Sequence, residues 1–198
     1  SIISNNINAI VSDHNGMLWL ATNRGLDHFD PRLEYAAHYR NFPNVAHSLA
    51  NNNVLSLYLD RSGNLWIGTN DGLDRFDHTT GRFIHYRHQP GNLYSLSAST
   101  ISAIYEDRGG VLWVGTFGGG LNRYDHGQDR FITYDHQPGN PNSLSGNLIF
   151  PILVDPTGQV WIGTYGNGLN RFDPQTGLFH HYSHIPDDPN SLQSDEVW

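Results

Sequence analysis

Twelve histidines and 19 acidic residues in 198 give raw material for metal binding or acid–base chemistry. His85 and His88 lie close in sequence, as do His180, His181 and His184. A metal centre needs three or four donors converging from fixed elements, often with carboxylate support. No chelating set of that kind recurs here, so these histidines are expected on solvated outer strands and no metal is assigned. His47, His88, His136 and His184 stand in or near polar connecting stretches, where a general base for an elimination would have to sit. Cysteine is absent, which excludes thiol catalysis, disulfides and cysteine-ligated metals. No nucleophile stands beside a base, so no catalytic residue and no cofactor is assigned.

The pattern behind these residues is a repeat. Leu18-Trp19-Leu20-Ala21-Thr22 returns as Leu65 to Thr69, Leu112 to Thr116 and Val160 to Thr164, with the tryptophans 47, 47 and 48 residues apart. Each tryptophan follows a glycine by three residues and an aspartate by six: Asp13, Asp60, Asp107 and Asp155. Each is followed by Gly-Leu-x-x-aromatic-Asp or Gly-Leu-Asn-Arg-aromatic-Asp (Gly25 to Asp30, Gly72 to Asp77, Gly120 to Asp125, Gly168 to Asp173), then by Tyr39, Tyr86, Tyr134 or Tyr182. Ten residues past each tyrosine comes Leu49, Leu96, Leu144 or Leu192, always after a serine. A fixed period of this length signals a repeat architecture.

Within one repeat, four short apolar runs are separated by Gly-, Asn- or Asp-bearing turns, and no segment offers an uninterrupted helical stripe. The fold class expected is all-β: a β-propeller with four blades of four antiparallel strands each, part of a larger ring. The repeats span roughly 1–47, 48–94, 95–142 and 143–191, with 192–198 opening a further one, and 1–198 is taken as one propeller segment. Trp19, Trp66, Trp113 and Trp161 are expected as structural wedges between blades, because a tryptophan buries a large area. The repeated aspartates are expected to accept backbone hydrogen bonds in the turn before the glycine. The third residue of each first strand, Ala9, Ser56, Ala103 or Pro151, is small or a proline, as crowding between blades would require. A proline fits there only where its missing N–H faces away from the ladder.

The turns after the repeated threonines differ from blade to blade: Asn23-Arg24, Asn70-Asp71, Phe117-Gly118-Gly119 and Tyr165-Gly166-Asn167. Positions that vary on a repeated scaffold are free to specialise, and loops on a rigid scaffold commonly carry binding residues. Arg24, Asp71, Phe117 and Tyr165 are therefore the ligand-binding candidates, a polar and aromatic rim suited to a sugar-like molecule. Ordinary loop variation explains the same differences, and the sequence leaves both readings open.

The net charge is −8 and no Lys/Arg cluster appears, so neither nucleic acid nor direct membrane insertion of this segment is expected. The first and last residues both fall inside a repeat. The expected partners are accordingly a small soluble ligand, possible in oligosaccharide form, and further blades, from the same parent chain or from a second copy closing an eight-bladed ring.

The run Asp-x-x-Gly-x-Leu-Trp-Ile-Gly-Thr with Gly-Leu-x-Arg-Phe-Asp, joined to His136-Gln137-Pro138-Gly139-Asn140-Pro141-Asn142-Ser143-Leu144, resembles the two-component regulator propeller repeat. The first repeat departs from it at Ala21, His28 and Ala36, and that blade is expected to be looser or differently packed. The resemblance implies a non-catalytic, extracytoplasmic (periplasmic or extracellular) sensor module of a hybrid two-component or related receptor, in a family linked to carbohydrate sensing. Two alternatives stay open: a propeller enzyme of streptogramin-lyase type using one of the loop histidines, and a protein-interaction scaffold.

Overall fold

Every short apolar run folds as a strand of five or six residues, and every Gly- or Asp-bearing break between runs folds as a turn. The computed structural model describes residues 1–198 and contains sixteen strands and no helix. They are β1 (Ile7–Ser12), β2 (Leu18–Thr22), β3 (Gly25–Asp30) and β4 (Tyr35–Tyr39); β5 (Val54–Leu59), β6 (Leu65–Thr69), β7 (Gly72–Asp77) and β8 (Arg82–Tyr86). Then come β9 (Ile101–Glu106), β10 (Leu112–Thr116), β11 (Gly120–Asp125) and β12 (Arg130–Tyr134); and β13 (Ile149–Val154), β14 (Val160–Thr164), β15 (Leu169–Asp173) and β16 (Leu178–Tyr182). They form four sheets, each of four strands in chain order, which is the strand plan of a propeller blade. The chain falls into two compact units, residues 1–88 with 99–104, and residues 89–98 with 105–198.

In the first unit the wedge role of tryptophan is plain. Trp19 is buried, with its ring 5.3 Å from Phe76 of the next blade. Tyr39 meets Phe76 and Phe83 edge-on, at 5.4 and 5.7 Å. Leu49, Val54, Leu65 and Ile67 complete this core. The second unit repeats the arrangement: Trp113 lies 5.6 Å from Phe172, and Tyr134 packs on Phe172 and Phe179.

The repeated aspartate does two jobs. One carboxylate oxygen accepts backbone N–H groups of the turn, as in Asp107 with Gly109 (2.8 Å) and Val111 (2.9 Å). The other accepts the indole N–H of the tryptophan six residues on: 2.8 Å for Asp60 and Trp66, 3.1 Å for Asp107 and Trp113, 2.9 Å for Asp155 and Trp161. Hydrogen bonds from Thr157 and Trp161 hold the Asp155 carboxyl well below the usual carboxylate range. The first blade differs. There His28 stacks flat on Trp19 at 4.0 Å and its Nε2 lies 3.2 Å from Asp13, while the buried Trp19 indole nitrogen has no partner.

Crowding sets the small residues. Ser56 pairs with Gly68 and Ala9 with Ala21. A Cβ on Gly115 would lie 2.5 Å from Ile149 Cγ2 of the following blade. Ala21, the departure in the first repeat, is fully buried. Pro151 sits within a shift of register between Ile149 and Ile152, where no ladder partner is assigned. Strands β1 and β5 are shifted at the same place, so the proline occupies a break that the repeat already has.

The connectors are self-closed loops. Ser48 accepts Phe42 N–H, Ser95 accepts Gln89 N–H and Ser143 accepts Gln137 N–H, at 2.9 to 3.0 Å, while Leu49, Leu96 and Leu144 plug the interior. Each loop also meets the outer strand of the blade it enters: Phe83 N–H donates to His47 O, and Phe131 N–H to Tyr94 O.

A buried polar position in each third strand anchors the connector from below. Asp27 and Asp74 accept Ile3 and Ala50 N–H at 2.6 and 2.7 Å; Asn122 and Asn170 accept Ser97 and Ser145 N–H at 3.0 and 2.9 Å. The two aspartates are each met by a histidine eleven residues on, His38 and His85. This corrects the expectation for His85. It is not a solvated surface residue: its Nδ1 lies 2.6 Å from Asp74, its Nε2 2.9 Å from Ala46 O, and only 18% of its side chain is exposed.

Two predictions follow from this packing. Gly115→Ala should cost roughly 1–3 kcal/mol by overpacking, read as a lower urea midpoint. Burial pushes the Asp74 carboxyl up, and the hydrogen bond to Asp74 raises His85. Both directions mean that the folded state binds a proton more tightly than the unfolded one. The Asp74 contribution is lost from the unfolded carboxylate value of about 3.9 upward, whereas for His85 the stabilisation is complete below the unfolded histidine value of about 6.5 and is lost as pH rises through the raised folded value. The melting temperature should fall over that window, and His85→Gln should flatten the fall; superimposable profiles would refute the pair.

Candidate ligand-binding site

The two longer turns, one residue longer than their counterparts, carry the aromatics. Phe117 follows β10 and Tyr165 follows β14, so both leave a second strand at the same end of its sheet. The backbone that enters β13 runs between them: Phe117 bridges Leu148, Gly118 N–H donates to Asn147 O, and Tyr165 N–H donates to Leu148 O at 3.0 Å. Phe150, the second residue of β13, consequently sits between the two rings, 5.4 Å from Phe117 and 6.0 Å from Tyr165. Trp198 joins them, 4.7 Å from Phe150 and 5.4 Å from Tyr165.

Four rings thus form one cluster in the second unit, with Phe117 45% and Tyr165 39% exposed. Singly exposed aromatics are ordinary on a folded surface, but a contiguous set offers flat faces to a ligand. Polar groups stand alongside. The Asn167 backbone carbonyl accepts the Ser145 hydroxyl at 2.8 Å, and a Cβ on Gly146 would crowd the Asn167 side chain. Gly166 takes a φ of 75°, which lets the turn double back directly after Tyr165.

The other two candidates belong to the first unit. Asp71 is engaged by Arg87, whose guanidinium lies 3.3 Å from its carboxylate, with both side chains about half exposed. Arg24 lines two hollows. One, of about 400 Å³, is walled by residues 2–6 and Asn23; the other, of about 330 Å³, by Asn23, Arg40 and Asn52. A third hollow of about 350 Å³ lies between His38, Phe42, Val45, His47 and Phe83.

Two of the loop histidines have structural work. His136 and His184 hold Leu144 O and Leu192 O through Nδ1 at 2.8 and 2.7 Å. At the equivalent place in the first connector Asn41 makes the same bond to Leu49 O, at 2.7 Å, and an asparagine cannot act as a base.

Phe150 and Trp198 were not singled out in the sequence. They occupy one position of the repeat, which for Phe150 is the second residue of β13, and where earlier repeats have Asn8, Leu55 and Ser102. That variation at a fixed place was the available signal.

Comparison with known proteins agrees with this architecture. A family model described as the two component regulator propeller matches residues 1–24, 48–71, 95–118 and 143–166. No curated protein sequence matches the chain. Among solved structures, the chain is similar to the extracellular domain of a putative one component system from B. thetaiotaomicron, with 29% identity and a TM-score of 0.77 over 91% of this chain and 25% of that one. It is also similar to the extracellular domain of a putative hybrid two component system from the same organism, with 26% identity and a TM-score of 0.75 over 95% of this chain and 28% of that one. A second such hybrid system shares the fold at 24% identity, with a TM-score of 0.82 over 92% of this chain and 25% of that one. The chain spans about a quarter of the length of these neighbours. With one matched segment in each of four consecutive repeats, the chain belongs to the two-component regulator propeller family.

Proposed function

We propose that this chain is a ligand-sensing propeller segment of a signalling receptor, working outside the cytoplasm, and that it performs no chemistry on what it binds. The observation that carries the reading is the exposed cluster of Phe117, Phe150, Tyr165 and Trp198. Stacking faces bordered by hydroxyl and amide groups suit a soluble oligosaccharide, whose rings present C–H faces and a rim of hydroxyls. The extracellular location of the similar B. thetaiotaomicron domains supports the compartment. Asn41 makes in the first connector the bond that His136 and His184 make in theirs, which favours a structural role for this position over a general base. Further blades, from the parent chain or a second copy, belong to this reading. Light scattering checks the second source: a mass that stays at one chain on concentration would exclude it.

Trp198 supplies the readout. An oligosaccharide panel titrated against the chain should find a ligand that changes tryptophan fluorescence saturably and raises the melting temperature. Tyr165→Ala should weaken that binding about three- to tenfold, since one stacked ring contributes about 0.5–1.5 kcal/mol. Turnover of a panel member, or binding indifferent to Tyr165 and Phe117, would defeat the proposal.

A further inference from the structure

Two complete blades of the first unit can be compared residue by residue, and one corner has the opposite electrostatic character in each. In the second blade Asp71, in the turn between β6 and β7, lies 3.3 Å from the guanidinium of Arg87, which directly follows β8. Arg87 Nε also donates to the Asp71 carbonyl at 3.4 Å. The equivalent residues of the first blade are Arg24 and Arg40. The scaffold that brings an acid to a base in one blade thus sets two cations at the same places in the other. Both line the hollow of about 330 Å³.

The remaining wall is also made of donors. Asn52 Oδ1 accepts the backbone N–H of Asn41 at 2.8 Å, which fixes the amide orientation and leaves its NH2 with capacity to spare. Asn23 Oδ1 accepts the Ser4 hydroxyl at 2.7 Å, leaving its NH2 in the same condition. The carboxylate beneath this blade, Asp27, is fully buried and already engaged by Ile3 N–H and His38. Two arginines and two asparagines therefore line one hollow, with no acid among its lining residues. Such a set repels itself when empty and is matched by an oxyanion, which guanidinium forks bind in a paired geometry.

We propose that Arg24 and Arg40, with Asn23 and Asn52, form a binding site for a ligand carboxylate, on a molecule about the size of a single uronic acid. The site supplies to the first blade the anion that Asp71 supplies to the second. It rests on the geometry of the first unit alone, so its failure leaves the aromatic cluster of the second unit standing, and the reverse.

The test follows the side-chain Nε resonances of Arg24 and Arg40 during titration with glucuronate, with glucose and sodium sulfate as parallel arms. Glucuronate should shift both resonances saturably; glucose should not, and sulfate should do so more weakly. Arg24→Asp rebuilds the pairing of the second blade, so the variant is expected to keep its melting temperature while losing at least about tenfold in glucuronate affinity. Arg40→Ala should lose affinity to a similar degree. Retained affinity in folded Arg24→Asp overturns the proposal. So does an equal response to glucose, an equal response to sulfate, which would mark a non-selective cation pair, or no response up to the solubility limit of glucuronate.

Discussion

An indole ring at a fixed place organises each repeat. The ring packs against aromatics of the following blade, as Trp19 does on Phe76 and Trp113 on Phe172. In three repeats its N–H is held by the aspartate that also closes the first turn. One carboxylate thereby couples a turn to the packing between sheets. A blade of twenty-odd strand residues is too small to bury its faces alone, so stacking on a neighbour supplies most of its stability. Remove the aspartate and a buried N–H is left without a partner, which costs about 1–3 kcal/mol.

The first blade shows what happens when this unit is altered. His28 stands where the other repeats have Arg75, Arg123 and Arg171. The arginines ride over the tryptophan ring from outside, at 5.7 Å for Arg75 and 6.0 Å for Arg171. His28 instead lies flat on the ring and takes the Asp13 carboxylate for itself, stranding the indole N–H. Stacking and a histidine–carboxylate contact replace a cation–π contact and an indole hydrogen bond.

The sequence made the scaffold easy to read because one structural solution is written four times. The period, the wedge tryptophans and the turn aspartates each recur in register, so coincidence is ruled out by repetition. Strand ends agree closely with the Gly- and Asp-bearing breaks. What escaped was contact at a distance. The Asp74–His85 pair joins neighbouring strands through residues eleven apart; it recurs as Asp27 and His38, but the third blade has Asn122 and Thr133 and the fourth Asn170 and His181, so only half of the repeats carry it. The site was half legible for the same reason. Phe117 and Tyr165 stood out as variable turn residues, whereas Phe150 sits inside a strand and reads as core until the backbone places it between two exposed rings. Arg24 was visible, but its relation to Arg40 needed the paired corner of the second blade.

The closure of the connectors has a consequence for how such a chain can be edited. In the first connector the loop is tied at its neck, by Asn41 N–H to Asn52 and by Phe42 N–H to Ser48. The tip between keeps its proline, as Pro43, Pro90, Pro138 and Pro186, whereas the residue after it changes from Asn44 to Gly91, Gly139 and Asp187 while the serine tie stays in place. Loop-closure entropy grows slowly with added residues, and the neck already holds the ends together. Length inserted beside Asn44 is therefore separated by the neck from strand register, which makes that place in the connector the natural graft point, whereas Ala46 O, held by His85, and His47 O, held by Phe83 N–H, tie the far side of the tip to the outer strand of the blade.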